Sequence, residues 1–167
     1  LEDMPPLLGG GMIISELIRD HFVPGDPPQR FEAGTPPIAE AVGLAAAIAW
    51  LKTLKQKEIE AHERRLLGVA LKSLSRVKGL TVLGPKKMGE ISGCISFTVE
   101  GVHPHDLTEI LGHEGICLRA GHHCTQSLHE RLGIAASTRL SVALYNTEEE
   151  ILAVAPALER AIKLLKK

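Results

Sequence analysis

The chain has 167 residues and a mass of 18.0 kDa, enough for one domain with a buried core. Lys and Arg number 19 against 20 Asp and Glu, and a net charge of -1 argues against a nucleic-acid partner. No apolar run approaches the roughly 20 residues needed to span a bilayer, so no membrane is expected. Residues 1–35 read as loop with one short helical piece. Gly9, Gly10 and Gly11 precede MIISELI, and PGDPP at 24–28 enforces an irregular path. Thr35-Pro36-Pro37 predicts a helix start, with Thr35 as the cap and Pro36 preset for the first turn. Ala41, Leu44, Ala45, Ile48 and Leu51 then recur at helical spacing and predict a buried face. A second helix is expected through Ile59, Leu66, Leu67, Ala70, Leu71, Leu74 and Val77, ending at Gly79, with EIEAHERR as its solvated side.

Beyond Gly79 the pattern turns β-prone, in TVLG (81–84), CISFTVEG (94–101), ICLRAG (116–121) and TRLSVALY (138–145). A helix starting near Pro104 separates the second run from the third, and another around LHERLG (128–133) leads to the fourth. Thr147 followed by Glu150 predicts a capping box opening a last helix to about Leu165, with Pro156 expected to kink it. The fold class is α+β: a short, mainly antiparallel sheet covered on one face by helices, joined to a long helical arm. Residues 1–35 are expected as a separate segment, and 36–167 as the domain that includes the connecting helix.

Cys94, Cys117 and Cys124 are spaced neither as a disulfide framework nor as a CxxC zinc site, which suits a reduced, cytoplasmic compartment. Cys94 and Cys117 lie in apolar strand patterns and are expected to be inert core residues. Cys124 ends the segment Arg119-Ala120-Gly121-His122-His123-Cys124. A thiol attacks as thiolate, and Arg119, His122 and His123 supply cationic or proton-accepting surroundings. Gly121 permits a turn there. The plainer reading, polar loop residues side by side by coincidence, stands level with this one on spacing alone. No metal is expected, because successive side chains of an extended chain alternate and His122, His123 and Cys124 cannot all converge without a distorted loop.

RFEAGTPPIAEAVGLAAAI, ISFTVEGVHPHDLTEIL, RAGHHCTQSL and STRLSVALYNTEEEI resemble, in order, successive blocks of the SufS-type branch of the class V aminotransferase-fold cysteine desulfurases. The resemblance covers nearly the whole chain. It implies the small C-terminal domain of a fold-type-I pyridoxal-phosphate enzyme, with 1–35 coming from the edge of the large domain. Cys124 matches the cysteine that takes sulfur from L-cysteine as a persulfide, leaving L-alanine, for iron–sulfur cluster assembly or other sulfur transfer. Arg139 matches the arginine that grips the substrate carboxylate, a task suited to a guanidinium fork. Arg119, His122 and His123 would line the pocket. Thr35, Gly10 and Gly11 match residues near the cofactor phosphate of the partner subunit in a homodimer. A sulfur-acceptor protein is also implied.

The family's lysine–cofactor link, preceded by histidine, matches no segment here, so the chain is expected to be a fragment that is inactive without its large domain. Without that domain the Ala41–Leu51 face would be exposed and favour association. A selenocysteine lyase, a non-catalytic truncated homologue and a free-standing thiol carrier are the competing readings.

Overall fold

A computed structural model describes residues 1–85, 87–91 and 93–166, and their side chains except that of Met88. The chain forms two compact units, Leu1–Leu54 and Lys55–Lys167. In the first, a hairpin replaces the expected helical piece: β1 (Ile14–Ile18) pairs antiparallel with β2 (His21–Pro24). A helix this short could not recover its nucleation cost, whereas HFVP gives the isoleucine-rich run a strand to pair with. Arg19 and Asp20 make the two-residue turn, Arg19 with a left-handed φ of 46°.

Helix α1 (Ile38–Leu51) starts three residues after Thr35, and its N-cap is Pro37, with no side-chain cap. Thr35 is therefore not the capping residue. The two prolines occupy positions where no backbone N–H is needed. The expected stripe exists in the sequence, yet every residue of α1 is exposed, Val42, Leu44, Ile48 and Trp50 included. The units divide after Leu54, so α1 groups by its contacts with the first.

Among the described residues, the second unit contains a four-stranded sheet and four α-helices: α2 (Gln56–Leu74), β3 (Leu80–Leu83), β4 (Cys94–Val99), α3 (Pro104–His113), β5 (Arg119–Gly121), α4 (Gln126–Leu132), β6 (Ser137–Ser141) and α5 (Glu148–Leu165). The strand order is β3-β4-β6-β5, antiparallel throughout. Directly opposed residues share a face. Leu80 with Val99, Val82 with Phe97, and Ile95 with Leu140 thus form the core face. Helix α2 packs on α5 and β4, while α3 packs on α5, β5 and β6. Leu66, Leu67, Ala70 and Leu74 of α2, Leu107 and Leu111 of α3, and Ile151, Val154 and Leu158 of α5 complete the core.

Local signals set the ends of these elements. Gly79, at φ 77°, makes the turn after α2 that a side chain would resist. The Thr147 hydroxyl accepts from the Glu150 N–H at 3.2 Å, and the Glu150 carboxylate accepts from the Thr147 N–H at 3.0 Å, so the capping box forms as expected. Helix α5 continues through Pro156 to Leu165; the carbonyl deprived of its donor belongs to Leu152, a residue on the exposed side.

Phe97 is fully buried, and Phe97→Ala should cost about 3–5 kcal/mol of unfolding free energy by urea titration. Val42→Ser, on the exposed surface of α1, should change it by no more than about 0.5 kcal/mol.

Candidate active site

The second face of the sheet is small, polar and cationic. Cys94 lies opposite Ser141, Ser96 opposite Arg139, Arg139 opposite Arg119, and Ser137 opposite Gly121. Cys94 is therefore half-buried on this face and not in the core, and Cys117, before β5, is exposed. Both depart from the inert core placement expected of them. The alternation that buries Ile95, Phe97 and Val99 turns Cys94 outward, and the third strand, only three residues long, begins after Cys117.

Like charges directly opposed across a strand pair repel. Arg119 and Arg139 are so placed, and among the described residues neither has an acidic partner within salt-bridge distance. Arg139 Nε is buried and lacks a hydrogen-bond partner among the described residues. Two adjacent guanidiniums, one with an unused buried donor, suit a carboxylate or another small anion.

Cys124 follows β5 in a tight turn. His123 and Cys124 have φ of 52° and 62°, and Thr125 donates to the His122 carbonyl from its N–H at 2.8 Å and from its hydroxyl at 2.7 Å. Two positive φ values between residues so bonded are the pattern of a type I′ turn, usually given to Gly, Asn or Asp. Holding side chains there costs about 1–2 kcal/mol per residue. This is the distorted loop that an extended reading of HHC did not foresee. It leaves Cys124 exposed, with Arg119 Nη2 3.9 Å from its sulfur.

The two neighbouring histidines part company. His122 is exposed and meets the edge of His129, ring centroids 5.4 Å apart. His123 is half-buried, with Nε2 3.1 Å from the Ser137 hydroxyl and Nδ1 buried without a partner. Burial, then Arg139, His129 and Arg119, hold its imidazole below its ordinary value of 6.5, only Ser137 opposing. His129 in α4 is buried, with Nδ1 3.0 Å from the Thr125 carbonyl and Nε2 2.9 Å from the same Ser137 hydroxyl. Neither His129 nor Ser137 was a sequence candidate. Among the described residues, no group of three His, Cys, Asp or Glu side chains is gathered for a metal.

Arg119, His123, Cys124 and Arg139 thus gather on β5, β6 and the turn between β5 and α4. Thr35, Gly10 and Gly11 lie instead within the first unit: the Gly34 N–H donates to the Gly11 carbonyl at 2.8 Å, and a Cβ on Gly10 would lie 3.3 Å from that of Ala33. The glycine run therefore lies against the residues just before Thr35. All three are exposed, and around Gly11 a side chain would meet nothing within 4 Å. This side-chain-free backbone beside a hydroxyl fits a phosphate edge by neutral donation. Arg30, the nearby cation, spends its guanidinium on the carbonyls of Glu2, Met4 and Gly25.

The Aminotransferase class-V family model matches residues 1–154, and the chain belongs to that family. It is 44% identical over 151 residues to a probable cysteine desulfurase 2 of Mycobacterium leprae, covering 90% of this chain and 36% of that protein. A probable cysteine desulfurase of Streptomyces coelicolor is 45% identical over 159 residues, covering 95% and 38%. The fold matches a cysteine desulfurase from Thermococcus onnurineus with a TM-score of 0.81 at 36% identity, over 95% of this chain and 39% of that one. The chain thus spans well under half the length of these relatives.

Cys124 should be alkylated faster than the similarly exposed Cys117, and Arg119→Ala should narrow the difference by slowing Cys124 alone; mass spectrometry of timed labelling reads both. The depressed His123 value has a second consequence. Its contribution to stability is full above 6.5, the unfolded value, and is lost as pH falls through the folded value, because the unfolded chain binds the proton first. Urea midpoints should therefore drop on acidification through this range, and less steeply in His123→Gln.

Proposed function

We propose that the protein containing this sequence is a pyridoxal-phosphate-dependent cysteine desulfurase of the SufS type. Residues 36–167 would be its small C-terminal domain, and residues 1–35 a segment from the edge of its large domain. The observation that carries the reading is an exposed cysteine on a strained turn, with one guanidinium at its sulfur and a second, opposite the first, free to take a carboxylate. The names of its relatives point the same way.

In this reading Arg139, with Arg119 beside it, binds the α-carboxylate of L-cysteine and directs the substrate sulfur toward Cys124. The cofactor, when bound, supplies an electron sink at the substrate's amino-bearing carbon. Gly10, Gly11 and Thr35 would help hold its phosphate from the partner subunit of a homodimer. Cys124 Sγ, as thiolate, bonds to the substrate sulfur while the Cβ–S bond breaks. The electron pair stays with the carbon skeleton, which leaves as L-alanine after protonation, and the sulfur stays on Cys124 as a persulfide.

Exposure of Cys124 suits delivery of that sulfur to an acceptor protein, for iron–sulfur cluster assembly or another sulfur-requiring step. Helix α1, apolar and uncovered, is the surface that the large domain would bury. Free thiols suit the cytoplasm; among the described residues no helix is long and apolar enough to cross a membrane.

In the full-length enzyme, Cys124→Ala should abolish persulfide and alanine formation and leave the bound-cofactor spectrum unchanged. Arg139→Ala should lower kcat/KM for cysteine by about 2–4 kcal/mol, the cost of unpaired charged hydrogen bonds. Arg139→Lys should recover part of it, because a point donor replaces a fork. Near wild-type sulfide release by Cys124→Ala would overturn the assignment.

A further inference from the structure

The hydrogen bonds behind Cys124 form a line whose proton directions follow from the acceptor at its end. The Thr125 carbonyl can only accept, so His129 Nδ1 carries a proton. In neutral His129, Nε2 is then a lone pair, and the Ser137 hydroxyl must donate to it. Having spent its one proton, Ser137 can only accept from His123, so His123 carries its proton on Nε2. His123 Nδ1, buried and without a partner among the described residues, is left as a bare lone pair.

We propose that Ser137 and His129 are positioning residues that wire His123 as a proton relay, with Nδ1 as its open end and His129 as the site where the charge comes to rest. A proton arriving at His123 Nδ1 releases the Nε2 proton to Ser137, whose own proton passes to His129 Nε2. Bonds and charge balance: one proton enters, His123 and Ser137 each hand one on, His129 keeps one, and His123 ends neutral with its proton on Nδ1.

The electrostatics favour that end state. His123 faces Arg139 on β6, Arg119 on β5 and His129 on α4, and these together with burial disfavour charge on it. A charged His129 has both ring N–H groups satisfied, by the Thr125 carbonyl and by Ser137, and lies one hydroxyl further along the line from His123. Its other ring neighbour is the exposed His122. Under the desulfurase reading, on which this use of the relay rests, His123 can take up a proton released in the site without holding a third positive charge beside the two arginines.

The test is histidine side-chain nitrogen NMR on the full-length protein, titrated downward from mildly alkaline pH. The relay requires His123 to begin as the Nε2–H tautomer and to switch to neutral Nδ1–H in step with protonation of His129. Ser137→Ala should abolish the switch, and His129→Gln should do so by a different change should the first variant not fold. A His123 that simply becomes doubly protonated, or a switch that survives in both variants, overturns the proposal. In the same Ser137→Ala protein, kcat for alanine formation should fall on the order of tenfold with KM for cysteine unchanged, the loss concentrated on the acid limb of the pH profile. An unchanged profile also overturns it. A wild-type protein that shows the switch yet forms no persulfide supports the wiring and overturns the desulfurase reading instead.

Discussion

Much of this structure depends on the pairing of β6 with two antiparallel neighbours at once. Because β4 and β5 flank it in fixed register, Thr138 and Arg139 each have a defined companion on both sides, and Ser137, Leu140 and Ser141 each have one. Leu140 and Thr138 are committed to the face that α2, α3 and α5 cover. Ser137 and Arg139 are committed to the other. Shifting the register by one residue would send Arg139 into the core and Leu140 into the site, an exchange that burying an unpaired guanidinium forbids. The hydrophobic core therefore determines where the two arginines stand, although neither contributes to it. The repulsion between them is a small local cost, kept in place by the burial of Phe97, Ile95 and Leu140 on the reverse side.

The turn that follows β5 is held in the same way. His123 and Cys124 take left-handed backbone that neither residue type favours, and no glycine relieves it. What opposes the strain is local bonding: two donors of Thr125 on the His122 carbonyl, His129 on the Thr125 carbonyl, and Ser137 between the two imidazoles. Ser137 belongs to β6, so the turn is tied to the strand that carries Arg139. The thiol and the guanidinium that flank the site are thereby referred to one rigid element, which is how strained geometry persists at a reactive residue.

The elements with strong local signals were readable from sequence, and the failures have identifiable causes. CISFTV alternates, and Thr147 and Glu150 stand at capping-box spacing; both reappear in the fold, whereas α2 ends at Leu74, before the expected Val77, and Gly79 makes the turn beyond it. MIISELI gave no such signal. Its turn is Arg19-Asp20, without the glycine or asparagine that marks a hairpin. The α1 stripe has the right period, but period alone does not say whether a partner is present to bury it. At the site, Arg119, Cys124 and Arg139 could be named because their side chains suit the chemistry. His129 and Ser137 could not, since a histidine in LHERLG and a serine before an arginine read as ordinary surface residues. Only the folding of α4 back toward the start of β6 makes them neighbours.

That difference separates two kinds of information in a site. Groups that touch a substrate must be particular residues, so residue type betrays them. Groups that set a proton's position need only a lone pair or a hydrogen at the right distance, and many residues could supply one. Their identity becomes legible once a terminal acceptor fixes the direction of the line, as the Thr125 carbonyl does here. A backbone carbonyl cannot exchange roles with its donor, so it orients every hydrogen bond upstream of it for each protonation state of His129. Beside Arg119 and Arg139 that matters energetically, because each further positive charge would have to be taken up on a face that already holds two. A line of neutral groups that passes charge on from His123, toward a ring with both nitrogens satisfied, lets one face both bind an anion and handle a proton.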